Sequence, residues 1–484
     1  MWQVRELYEY SSTFVSLVIL RRASRVEELS IGGVYVNLGL ALLGFATMIV
    51  ITVVLLKNKV STLLAFTVFP LVAGLIAVYV AAGSFTAVDI TSLPGTFGTW
   101  LKDGFSKTTS ISLMMLFSLP YFMMVADTGM FDDIVKFLMR RIKVSAPVIC
   151  VLTVIVACIC ELDGSITSVF LITVPLMLPL YEKFGVDKKI LPFLTCVAIL
   201  IMCNTPWNPK ILRAASLVAD QGITGTDLFI KIVPIQIFMF VLVIGIALYF
   251  GAKERKNQKE GIEISNEELL AQFKDTELTR HNRFAFNLLF TAFLVFCLIA
   301  FSSIPQYYVF AFGLVIGLQV NYRDLKQQNK LLKKYASSLF PVLPAVLLSG
   351  VVVGVMQDSG MLDAMVQLLM AIVPSVMGPY LYLIIALCST PLMLVFTNDT
   401  WFYALMPLII AFSAQYGVPA QVVIAALYMN FGSMISVVAQ PQLYIATDLT
   451  GITIDEHIKF SFLKLWAINV VVVLFGIVTG VFMP

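Results

Sequence analysis

Two short polar stretches place titratable groups deep inside apolar surroundings: residues 161–167 (ELDGSIT), with Asp163, and residues 397–400 (TNDT), with Asp399. Each is flanked on both sides by about 15 mostly apolar residues, fewer than the roughly 20 that span a bilayer. Each therefore reads as the tip of a re-entrant helical hairpin. A carboxylate at that depth is tolerated where it is buried in protein or faces a watery cavity, and there it marks a functional site. Holding it ionised without a partner is costly, so binding a driving proton or cation is its natural chemistry. Asp163 and Asp399 are the candidates for that coupling. Ser165, Thr167, Thr397, Asn398 and Thr400 add hydroxyls and an amide that can donate to a carboxylate substrate. The same residues also suit turn and cap work, with Gly164 easing the backbone, and both readings stand.

A second pair of stretches has different chemistry. Residues 203–213 (CNTPWNPKILR) set Asn204, Thr205 and Asn208 around Pro206 and Pro209 within an apolar run, so backbone groups are freed at bilayer depth. Lys210 and Arg213 follow at i and i+3 on one face of the next half-helix. Arg213 is the better anion clamp because its planar fork matches a carboxylate; the alternative is a side chain that snorkels to the interface. In the corresponding stretch, residues 438–442 (VAQPQ), Gln440 and Gln442 flank Pro441 without charge, so the expected site is asymmetric.

Such groups need a membrane scaffold to position them, and the composition supplies one. Of 484 residues, 59% are hydrophobic and only 13% charged, which describes an all-α polytopic membrane protein. The net charge of +3 comes from basic residues in a few loops that form no stripe, which excludes nucleic acid as a partner. The seven cysteines sit in apolar segments with no metal-type CxxC pair and read as packing residues. His281 and His457 are expected in loops, so the serine and histidine of an intramembrane protease are missing, as is a GxGD motif. No enzyme activity and no resident cofactor are expected.

Apolar windows predict spans near residues 34–56, 62–82 and 111–129, a hairpin at 146–181, a broken span at 190–218 and a span at 228–251. Residues 252–283 are polar and read as a cytoplasmic linker. Spans then recur at 284–303, 307–321 and 340–357, followed by a hairpin at 379–413, a broken span at 420–449 and a last span at 460–483. Residues 1–33 read as an extension without assigned function. The organisation is thus a first transmembrane repeat at 34–251 and a second at 284–484. DTGMFD at 127–132 recurs as DSGMLD at 358–363, an offset of 358 − 127 = 231. Pro175 and Pro407, Gly185 and Gly417, Val186 and Val418, and Pro209 and Pro441 match at 407 − 175 = 232. Lys136, Arg140, Arg141 and Lys143 follow the first motif, whereas no lysine or arginine follows the second until Lys459. Positive-inside bias therefore predicts inverted copies, and an inverted repeat with broken helices is a transporter architecture. Lys231 and the basic N-terminus depart from this topology.

The segments LDGSITSVFLITVPLMLPLYEKFGV (162–186), NTPWNPKILRAAS (204–216), FTNDTWFYALMPL (396–408) and DEHIKFSFLKLWA (455–467) resemble the citrate-metal-complex:proton symporter family of the ion transporter superfamily. The likeness runs from about residue 34 to the C-terminus. It implies a carboxylate carrier with two hairpins and two broken helices, commonly a homodimer, in a bacterial cytoplasmic membrane. The family's first tip usually carries a second aspartate two residues after the first. This chain has Ser165 there, with Glu161 just upstream. The expected function is secondary active transport of a citrate-like di- or tricarboxylate coupled to protons or cations, with transport as a divalent-metal complex left open. The alternative is a cation:proton antiporter of the same superfamily, against which Arg213 argues.

Overall fold

The computed structural model describes residues 28–31, 34–57, 60–82, 88–139, 145–255, 275–301, 304–340, 342–394, 396–437 and 439–484. Most of the expected extension and linker, and Arg140, Arg141 and Lys143, lie outside these residues. A small antiparallel hairpin, β1 (Glu28–Ile31) and β2 (Val34–Asn37), straddles the expected end of the extension. The regular elements among the described residues after it are all helical. Eight helical segments among the described residues have the length and hydropathy to cross a bilayer.

Asn37 caps α1 (Leu38–Leu56) by accepting from the Leu40 N–H, and α2 (Thr62–Ala82) follows. The third helix departs from expectation: α3 (Leu93–Asp127) has 35 residues and starts well before residue 111. Its first half carries Lys102, Asp103 and Lys107 outward while burying Trp100, Gly104, Thr108 and Ile111 at helical spacing. A hydropathy window averages that stripe away. After α4 (Met130–Met139) come α5 (Ala146–Cys160), a tight turn at Glu161–Asp163 and α6 (Ile166–Phe184), which pack against each other. With the turn included, the first arm reaches 18 residues and the second 19, so both are longer than the sequence suggested. The broken span is α7 (Ile190–Met202) and α8 (Pro209–Ser216), and α9 (Gly225–Glu254) closes the first half.

The second half runs α10 (Phe284–Ala300), α11 (Gln306–Asn321), α12 (Leu325–Leu339), α13 (Leu343–Asp358) and α14 (Met361–Ile372). Polar α12, absent from the expected spans, buries Gln328, Leu331, Tyr335 and Leu339 along one face. Its Lys334 and Tyr335 both bond Asp127 at 2.8 Å. Next come α15 (Leu381–Leu387), α16 (Ser389–Leu392) and the second tip, α17 (Asn398–Thr400), which runs through a π-turn into α18 (Met406–Ala414). The second broken span, α19 (Ala420–Leu427) and α20 (Leu443–Thr450), precedes α21 (Ile454–Val478). His457 is not in a loop: it lies buried in α21, with Nε2 3.0 Å from the Met434 carbonyl. Capping at Thr453 starts that helix before the apolar run, which is why a hydropathy window misplaces it.

Residues matched between the halves take matching conformations. Gly129 (φ 79°) and Gly360 (φ 76°) make the same left-handed turn after α3 and α13. Gly185 and Gly417 likewise end α6 and α18, where Val186 and Val418 donate back to the Tyr181 and Ser413 carbonyls. The helices that lead into the two motifs, α3 and α13, cross antiparallel. Thr108 donates to the Leu347 carbonyl, a Cβ on Gly104 would lie 2.0 Å from the Gly350 oxygen, and one on Gly354 would lie 2.3 Å from the Trp100 oxygen. Lipid is as apolar as leucine, so close backbone approach between small residues supplies the packing that holds such helices together.

Gly104→Ala should push the helices apart, at about 1–3 kcal/mol for overpacking, and lower the Tm of the detergent-purified protein. Gly98→Ala, on the same helix with nothing within 4 Å of the added methyl, is the control and should leave the Tm unchanged or raised.

Candidate functional site

The first tip turns because Gly164 adopts φ 73° and its N–H closes on the Glu161 carbonyl at 2.9 Å. There is little room beside it: a Cβ on Gly164 would meet Pro209 at 3.0 Å and Leu119 at 3.2 Å, so the tip rests on the start of α8 and on α3. Asp163 is buried and its Oδ1 accepts the Ser165 N–H at 2.8 Å, an Asx turn. Ser165 is the N-cap of α6, accepting from the Ser168 N–H and hydroxyl, with half-buried Thr167 beside it in the first turn. In this conformation Asp163 and Ser165 do the turn and cap work that the sequence allowed them.

The first break is locked onto this tip. The Trp207 indole N–H donates to the Leu162 carbonyl at 2.9 Å and the ring stacks on Phe122 of α3. Asn208 serves both sides at once. Its side-chain oxygen accepts the Lys210 N–H as the cap of α8, and its amide donates to Glu161 Oε1 at 3.0 Å. Asn204 is buried with its amide 4.0 Å from the Met239 sulfur, and Thr205 donates back to the Met202 carbonyl. Their backbone N–H groups close the end of α7 on the Ile201 and Met202 carbonyls.

From this start α8 reaches the second half twice. Lys210 Nζ lies over the Tyr428 ring, 4.4 Å from its centroid, and the Tyr428 hydroxyl donates to the Cys203 carbonyl at 2.6 Å. One turn on, Arg213 Nη1 is 3.2 Å from Asp399 Oδ1, while Thr62 Oγ1 donates to Asp399 Oδ2 at 3.2 Å. Arg213 Nε is buried and has no acceptor among the described residues. The expected anion clamp and the expected coupling carboxylate of the other repeat are therefore bonded to each other. Lys210 and Arg213 share a helix face, as i and i+3 require, yet diverge to separate partners.

The second tip is held by its own break. Thr397 and Thr400 form a reciprocal capping box, Asn398 Nδ2 donates to the Ala439 carbonyl at 2.9 Å, and the Trp401 indole donates to the Leu427 carbonyl at 3.0 Å. Gln440, next to Ala439, donates its N–H to the Ser436 carbonyl, and among the described residues no side-chain bond joins it to the tip. A small cavity beside Asp399 is lined by Thr47 and Ile51 of α1, Phe66 of α2, Val352 of α13, and Thr400 and Tyr403. Sequence reading missed Thr62 and Tyr428, which bear no motif, and gave no role to Cys203 at the start of the first break; all three matter through contacts made across the chain. It noted Glu161 without assigning it a role, although the criterion that selected Asp163, a carboxylate deep in an apolar run, applies to Glu161 equally.

Broken helices whose polar ends meet hairpin tips inside an apolar helical body define a multi-pass membrane transporter, not an enzyme. The chain belongs to the citrate transporter family, whose model matches residues 36–377. It is 29% identical over 438 residues to the citrate transporter of Bacillus subtilis (strain 168), covering 90% of this chain and 97% of that protein. It is also 29% identical over 441 residues to the Mg(2+)/citrate complex secondary transporter of the same organism, with the same coverage. In fold it is similar to the Alcanivorax borkumensis YdaH transporter, whose crystal structure is described as having an unusual topology, with TM-score 0.56 at 13% identity over 81% of this chain and 90% of that one.

Asn208→Ala removes a cap and strands a buried carboxylate, together about 2–4 kcal/mol. It should cut the yield of monodisperse protein and the Tm well below those of Asn208→Ser, which keeps the cap alone. Equal stability of the two variants would show that the cap contributes nothing, and Asn208→Ser as stable as the wild type would show that the Glu161 bond contributes nothing.

Proposed function

We propose that this protein is a secondary active transporter that carries a citrate-like di- or tricarboxylate across the bacterial cytoplasmic membrane, coupled to protons. The observation that carries the proposal is the Arg213–Asp399 ion pair between the first break and the second tip. A guanidinium offers two parallel N–H groups to a carboxylate, and here one fork nitrogen is engaged while Nε–H is buried and unmet. Asp399 occupies the clamp incompletely, as a stand-in for a substrate carboxylate that would take both donors. Protonating Asp399 removes its charge and frees Arg213 for the substrate. Releasing the substrate lets the pair re-form as the proton leaves. Proton and anion binding thereby favour each other, and the empty carrier returns with its charge masked.

The antiparallel crossing of α3 and α13 and the matched turns at Gly129 and Gly360 support inverted repeats, with α5–α6 and α15–α18 as re-entrant hairpins and the substrate held where the two meet. The relatives named for citrate and for its magnesium complex support the substrate class. A co-transported divalent metal belongs, in this reading, to the cargo, chelated by the substrate. The active unit is a homodimer, each protomer with its own site. An exchange of cations for protons would leave Arg213 without a task.

Ser145, before α5, and Ser375, before the second hairpin, lie within two residues of matched positions in the two halves (375 − 145 = 230). In a cysteine-free background, Ser145→Cys should react with an impermeant maleimide only from the cytoplasmic side and Ser375→Cys only from outside. Labelling of both from one side would mean parallel repeats.

In proteoliposomes, citrate uptake should follow an inward proton gradient. Arg213→Lys should weaken apparent affinity about 10- to 100-fold, the worth of a charge-assisted bidentate contact, and Arg213→Ala should nearly abolish transport. Asp399→Asn should lose gradient-driven accumulation and the pH dependence of binding while still exchanging citrate in counterflow. Asp163, the coupling carboxylate that the sequence offers on the first tip, is tested in parallel as Asp163→Asn. Normal accumulation by Asp399→Asn would overturn the scheme.

A further inference from the structure

A second buried acid lies at the first tip, and the exchange at Arg213 and Asp399 does not use it. Glu161 is fully buried in the turn between α5 and α6. Its Oε1 accepts from Asn208 Nδ2 at 3.0 Å and from the Cys203 thiol at 3.6 Å, both neutral donors of the first break. Its Oε2 is equally buried and accepts nothing among the described residues. An ionised carboxylate seeks donors on both oxygens, whereas a protonated one accepts on one and carries its own hydrogen on the other. The empty oxygen is where a proton would sit.

The rest of the setting completes the site. Lys210, two residues beyond Asn208, places its ammonium over the Tyr428 ring, within electrostatic reach of Glu161. The titratable groups within electrostatic reach of the Glu161 carboxyl are Asp163 on its own tip, Cys158 and Cys160 on its own arm, Cys203 and Lys210 from the first break, and Tyr428 from the second. With Glu161 ionised, the Glu161 and Lys210 charges cancel; with Glu161 protonated, Lys210 stands as a net positive charge one turn from Arg213. Asp163, by contrast, is committed to the Ser165 N–H, a bond that asparagine makes equally well.

We infer that Glu161 is the proton-binding site of the first tip, with Lys210 as the balancing charge that turns protonation into attraction for an anionic substrate. The proton comes from water on the side to which the tip is open, binds Oε2, and leaves to water on the other side once the substrate has gone. The inference rests on the carboxylate-transport reading for its purpose and not for its chemistry. It shifts the coupling role expected of Asp163 to the residue two positions earlier.

The test begins without substrate. Infrared difference spectra of the purified full-length protein, recorded across a pH step, should contain a protonated-carboxyl band that disappears in Glu161→Gln and persists in Asp163→Asn. With citrate added in weak buffer and a pH indicator present, the wild type should take up protons on binding, and Glu161→Gln should take up at least one fewer per citrate. In proteoliposomes the ratio of gradient-driven uptake to counterflow should fall at least about tenfold in Glu161→Gln, in the range of ordinary coupling factors. Because the amide leaves Lys210 as a lone buried charge, the charge-neutral Glu161→Gln/Lys210→Met variant is measured beside it and should fold and show the same loss of proton uptake. A band that survives Glu161→Gln, or proton uptake equal to the wild type in either variant, overturns the inference. So does failure of both variants to fold, since an isosteric neutral side chain imitates the protonated state that the site requires. If the wild type binds no carboxylate while the band still maps to Glu161, the transport reading fails and the proton site stands.

Discussion

Charge buried at bilayer depth has to be matched by charge or by hydrogen bonds, and in this protein one eight-residue helix does most of the matching. Helix α8 begins at Asn208, which caps it and holds Glu161 of the first tip. It sends Lys210 to Tyr428 of the second break and ends with Arg213 on Asp399 of the second tip. Five residues of helix rise, about 7.5 Å, thus touch three of the four interrupted elements. Displacing α8 would leave an acid, a lysine and an arginine without partners together, so the interrupted elements are coupled through it.

The scaffold around α8 is tightly packed where α3 and α13 cross. Gly104, Gly350 and Gly354 let α3 and α13 approach until backbone meets backbone, which leaves no slack for sliding. On the first copy of the DxGMxD motif, Asp127 is tied to Lys334 and Tyr335, the Thr128 carbonyl accepts the Arg280 N–H, and His281 bridges Asp133 and Asp275. Those partners come from the end of the linker and from the second half, so the first motif anchors one half to the other. Matched turns share backbone conformation, at Gly129 and Gly360 and at Gly185 and Gly417, while their surroundings differ in chemistry. Each hairpin is latched to its break by a tryptophan indole, yet in the first half the tryptophan sits on the break, at Trp207, and in the second on the tip, at Trp401. The cations of the site, Lys210 and Arg213, come from the first half alone.

Much of this was legible in the chain. Apolar run lengths, the prolines at 206, 209 and 441, the paired glycines and the paired DxGMxD motifs are local signals, and each was recovered as the element or turn it announced. The polar turns and helix breaks fell where expected because polar residues inside an apolar run have few other uses. Local signals failed where a helix was amphipathic rather than uniformly apolar, as in the first half of α3 and in α12, and where capping started α21 ahead of its apolar run.

By itself the sequence determined the class, a multi-pass all-helical transporter with carboxylates at two polar turns and cations after one break, because periodicity, hydropathy and charge are properties of neighbours along the chain. Only the tertiary structure decided which charge meets which. Arg213 with Asp399 is a contact between residues 186 positions apart (399 − 213 = 186), and Lys210 over Tyr428 one between residues 218 apart (428 − 210 = 218). Nothing local marks Tyr428 or Thr62 as partners. The same holds for the division of labour at the first tip. Asp163 and Glu161 look alike in a string of letters, and what separates them is that a backbone N–H reaches one while the other keeps one buried oxygen, Oε2, that accepts nothing among the described residues.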